Sequence, residues 1–94
     1  MTLPDQDAVY QYADGRALLD TTLAERAQLL RELEKLARAS QGIGSGEFIY
    51  RFDMTRAQTL LFELSVLTER MDSLIILINS YAEKSGKPKV EVIE

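Results

Sequence analysis

Few residues in this 94-residue chain are of types that do chemistry. It contains no histidine and no cysteine. That removes Ser/His and Cys/His nucleophilic pairs, thiolate and imidazole zinc sites, the Glu-x-x-His ligands of two-metal bundles and any disulfide framework. Three carboxylates, Glu63, Glu69 and Asp72, lie near one another in the chain. Glu63 and Glu69 do not share a helical face, however, and nothing in the pattern encloses either in the apolar setting that raises an acid's pKa. The chain is expected not to be an enzyme and to carry no cofactor and no metal.

Two further constellations invite a binding reading. Arg31, Lys35 and Arg38 fall on one helical face near the end of a helix, with Arg51 and Arg56 following beyond a loop. A cluster of this kind suits a phosphate or an acidic segment. Gly42-Ile-Gly-Ser-Gly46 resembles a phosphate-cradling loop only in its glycines. No strand precedes it and no Gly-Lys-Ser/Thr follows, so a flexible connector is the better account. The formal net charge of −4 argues against nucleic acid or an anionic membrane as a general partner.

The element that must position everything else is Thr55 to Lys84, a run that neither proline nor glycine interrupts. Its apolar residues Ala57, Leu60, Leu64, Leu67, Met71, Leu74, Ile78 and Tyr81 recur at alternating steps of three and four. That is a heptad seam, the pattern by which helices pack along their length. At about 1.5 Å per residue such a helix is roughly 45 Å long. A second apolar set, Phe62, Val66, Ile76 and Leu77, projects roughly opposite the seam, where a solvated helix would be polar. A helix apolar on two sides is expected to be enclosed, by its own chain or by another subunit.

Upstream, residues 1–15 read as an arm or short helix. Pro4, Asp5 and Asp7 suit its start, Gly15 suits its stop, and Tyr10 and Tyr12 are available to pack on the long helix. Residues 16–39 form the first helix, with Thr22 and Glu25 at capping-box spacing and a stripe of Leu19, Leu23, Ala27, Leu30, Leu33 and Ala37 widened by Leu29 and Leu36. Residues 40–46 are a glycine-rich loop. In 47–52 Phe48, Tyr50 and Phe52 alternate like a short strand. Asp53 or Thr55 caps the second helix, 55–84, and Gly86 followed by Pro88 ends it. The tail, 85–94, alternates weakly over 89–93 and is a candidate partner for 47–52 in a two-stranded ribbon. Such a ribbon is marginal alone in water. Asn79 and Ser73 interrupt the apolar run, and a polar residue beside a seam can set register.

The fold class expected is all-α: a single domain, an antiparallel helical hairpin with a long second helix, dimerising into a four-helix bundle. A chain this short buries only roughly 60–65% of its unfolded surface, so association is a ready source of stability. The function expected is non-catalytic protein–protein interaction, as an adaptor, small chaperone or inhibitor. Phe62, Val66, Ile76 and Leu77, with Phe48 and Tyr50, form the interaction surface. The partners expected are a second copy of the chain and another protein. The alternative is a small anionic, nucleotide-like ligand held at an oligomer interface by Arg31, Lys35, Arg38 and the tyrosines; a component of a phage or secretion assembly is a third reading. With no secretory signal and no run long enough to span a bilayer, the location expected is cytoplasmic.

Overall fold

A computed structural model describes residues 5–41, 49 and 51–94. The fold is an all-α antiparallel hairpin of α1 (Gln6–Gln41) and α2 (Met54–Ser85), 36 and 32 residues long. By helical rise these are about 54 and 48 Å. The molecule is a rod of 72 × 20 × 19 Å. Neither helix is long and apolar enough to cross a membrane.

The first helix begins ten residues earlier than the expected 16–39, because its start signal lies in the aspartates. The Asp5 carboxylate accepts from the backbone N–H of Asp7 at 3.0 Å and of Ala8 at 3.4 Å, and its carbonyl accepts from Val9. These bonds satisfy orphan donors of the first turn. Thr22 and Glu25 are therefore mid-helix and form no capping box. Thr22 is buried, and its hydroxyl donates to the Leu18 carbonyl at 2.9 Å, so its burial leaves no unmet polar group.

Gly15 does not stop a helix either. It lies buried within α1, where an added Cβ would stand 3.0 Å from Cγ1 of Ile78. The missing side chain lets the α1 backbone close on α2. The seam of α1 runs Ala8, Tyr12, Gly15, Leu19, Thr22, Arg26, Leu29, Leu33, Leu36 and Ser40, all buried or half-buried. Its steps alternate between four and three. The expected stripe had slipped sideways, since Leu30 is exposed and Leu23, Ala27 and Ala37 only flank the contact. Small and polar residues at Gly15, Thr22 and Arg26 hid the true seam from an apolar count.

On α2 the seam is the expected one: Ala57, Leu60, Leu64, Leu67, Met71, Leu74, Ile78 and Tyr81 are each buried or half-buried, with Leu60 and Ile78 fully enclosed. Asp53 is the N-cap, its carboxylate accepting from Arg56 N–H at 2.9 Å. At the far end Gly86 adopts φ 70°, its N–H reaching the Glu83 carbonyl while that of Lys87 reaches Ala82. This is a Schellman closure, which needs the left-handed conformation glycine adopts without strain. Antiparallel docking brings Asp5 N–H to the Lys84 carbonyl at 3.0 Å.

Residues 89–93 carry no strand. The ribbon expected with 47–52 is not formed by the tail, which lies back on the hairpin. Phe48, Tyr50 and the glycine-rich loop from residue 42 lie outside the described residues. Phe52 is half-buried and not in a strand.

Candidate interaction faces of the hairpin

A two-helix hairpin has one seam and two long edges, and each residue beside the seam belongs to one edge or the other. The first edge carries the ion pairs that cross between helices. Arg56 meets Glu32 at 2.8 Å and Arg70 meets Glu25 at 3.5 Å, all four side chains well hydrated. Such pairs contribute about 0–1 kcal/mol each, so they align the helices more than they hold them.

Along this edge lies an open apolar groove of about 430 Å³, bounded by Glu25, Gln28 and Leu29 of α1 and Phe62, Glu63, Val66 and Leu67 of α2. Glu25 also borders the adjoining groove, which continues past Arg70 to Leu18 and Leu74. Phe62, Val66, Ile76 and Leu77 are 69, 43, 72 and 41% exposed. Phe62 and Val66 thus form one wall of the groove. Leu77 follows Arg70 by one heptad on the same edge, and Ile76 repeats the position of Phe62 two heptads on. Glu69 interrupts this second apolar stripe.

Arg31, Lys35 and Arg38 form an exposed ridge on α1. Arg31 donates to the Gln28 side chain at 2.8 Å and Arg38 pairs with Glu34 at 2.6 Å. Arg56 is engaged across the seam by Glu32. Tyr12 stands about 28 Å of helix away from Arg31, so within one chain this ridge is not brought to the N-terminal tyrosines. Glu63, Glu69 and Asp72 are exposed. Among the described residues, no three acidic side chains gather closely enough to hold a metal ion.

The second edge is occupied by the tail. After the Gly86 turn, the Pro88 carbonyl accepts from the Tyr12 hydroxyl at 2.7 Å. The chain then runs back beside α2, where Asn79 holds Val90 at two points. The Asn79 Oδ1 accepts from Val90 N–H at 2.8 Å and its Nδ2 donates to the Val90 carbonyl at 3.0 Å. The role of Asn79 is to grip backbone from its own chain rather than to tune a seam. The only sequence signal was a carboxamide inside an apolar run, and nothing local named its partner.

The fold and its edges define a two-helix antiparallel hairpin with one groove open and one partly covered by the tail. No protein-family description, no curated protein and no solved structure matches the chain.

Proposed function

We propose that this is a non-catalytic interaction protein whose open edge pairs with a second copy of the chain, giving a four-helix bundle that serves as an adaptor, small chaperone or inhibitor. The observation that carries the reading is the groove of Leu29, Phe62 and Val66, which no part of the described chain covers. The monomer's own core is thin. Among the described residues only Leu19, Leu60 and Ile78 are large side chains that are completely buried, and a single seam between two helices is a small apolar reserve for a 94-residue chain. Covering a second seam adds to it.

A second copy suits the edge in charge as well as shape. Glu25 and Glu32 are already matched by Arg70 and Arg56, which leaves Glu63 as the one carboxylate of the groove lining without an ion pair among the described residues, so two such edges meet with little like charge. The stripe runs parallel to both helix axes, the geometry of bundle packing. Light scattering at low and high protein concentration tests the reading. A mass of two chains that falls to one in Val66→Lys, with helicity kept, is the expected result; a strict monomer at all concentrations rejects self-pairing.

A further inference from the structure

On the edge opposite the open groove, Leu19, Leu23, Met71 and Ile75 make an apolar floor flanked by Arg16 and Arg26. The chain's own tail lies over it, and three features describe how. Asn79 grips only main-chain atoms of Val90. A carboxamide that donates to a carbonyl and accepts from an N–H of one residue reads extended backbone whatever side chain it bears. Beyond Val90 the tail is poorly seated: Val92 is 60% and Ile93 94% exposed. About 230 Å³ of space remains between tail and floor. Finally, neither Glu91 nor Glu94 pairs with a cation among the described residues, although Arg16 and Arg26 of α1 both line the groove.

The seat is therefore better built than its occupant. We infer that this edge is a peptide-binding groove plugged by the chain's own C-terminal segment. It takes from a partner protein an extended segment of the tail's chemistry, bulky or β-branched apolar residues alternating with carboxylates. Binding displaces Val90 from Asn79. The incoming backbone bonds to the Asn79 carboxamide, its apolar side chains fill the space the tail leaves, and its carboxylates face Arg16 and Arg26. Arg16 already touches Asp20 at 3.5 Å, so Arg26, half-buried, is the stronger of the two recognition charges. A tethered tail competes at an effective concentration on the order of millimolar, which keeps the site closed to weak ligands and open to better ones. This site is on the other edge from the proposed self-pairing surface and does not depend on it.

The test uses the full chain and a fluorescein-labelled synthetic peptide with the sequence of residues 89–94. Val90→Pro removes the N–H that Asn79 accepts and loosens the plug. It should bind the peptide at least about tenfold more tightly than the unaltered chain, a difference of about 1.4 kcal/mol. Adding Asn79→Ala to Val90→Pro should undo most of that gain. Circular dichroism checks that both variants keep their helices. In the unaltered chain, hydrogen exchange at the Val90 amide should speed up severalfold as the peptide is raised to millimolar concentration. This second measurement stands even if Val90→Pro does not fold. A helical Val90→Pro chain that binds no better, binding indifferent to Asn79, or Val90 exchange unmoved by peptide would each make the tail a structural brace and overturn the proposal. A tail seated in a second copy would show instead as a mass that Asn79→Ala lowers, and that result too overturns it.

Discussion

Gly15 concentrates the physics of the residue scale. A glycine inside a helix costs about 1 kcal/mol relative to alanine, and here that cost accompanies the close approach of α1 to the enclosed Ile78. We predict that Gly15→Leu destabilises the protein by about 1–3 kcal/mol, since extra methylenes in a packed contact force backbone or rotamer shifts. Urea denaturation followed by circular dichroism measures it, and a midpoint equal to that of the unaltered chain would show that the helices do not close at this point. Gly15→Ala should cost less, because helix propensity offsets part of the 3.0 Å contact. Leu67, buried in the α2 seam, is a harsher case. Leu67→Asp leaves an unpaired charge inside the α1–α2 interface and is expected to abolish cooperative unfolding.

At the scale of the elements, α2 is bounded at both ends by short-range signals. Asp53 closes the start of α2 and Gly86 its end. Gly86→Ala should cost about 1–2 kcal/mol, because a Cβ is disfavoured in the left-handed conformation the turn requires. Asp53→Ala should cost about 1 kcal/mol through the lost N-cap. Thermal melts report both, and their effects should add, since the two caps are 33 positions apart in sequence and at opposite ends of one helix. A double variant that loses much more than the sum would mean that the ends of α2 are coupled through the tail.

For the molecule as a whole, what matters is which surface is left after the hairpin closes. The cross-helix ion pairs Arg56 with Glu32 and Arg70 with Glu25 are hydrated, so raising salt from low to physiological strength should change the unfolding midpoint little. The apolar edge is different. Phe62→Glu, like Val66→Lys, should leave the far-ultraviolet circular dichroism of one chain intact while reducing its mass in solution. Helices that melt together with the loss of mass would show that the hairpin has no standing of its own.

Much was already written in the sequence: the hairpin, the complete α2 seam, the Asp53 and Gly86 caps and the two apolar sides of α2. These depend on periodicity and on bonds within a few residues, which a linear reading contains. The rest depended on contacts between distant positions. Gly15 reads as a stop until Ile78 is opposite it, and Thr22 and Arg26 read as surface until the α1 seam is counted through them. The tail reads as a marginal strand until Asn79, eleven residues before Val90, takes its backbone. The sequence alone determined that two long helices form and which side of α2 is buried. Only the tertiary structure decided how far α1 extends, which edge stays open and which the tail fills, because close approach and side-chain-to-backbone bonding exist only once both partners are placed.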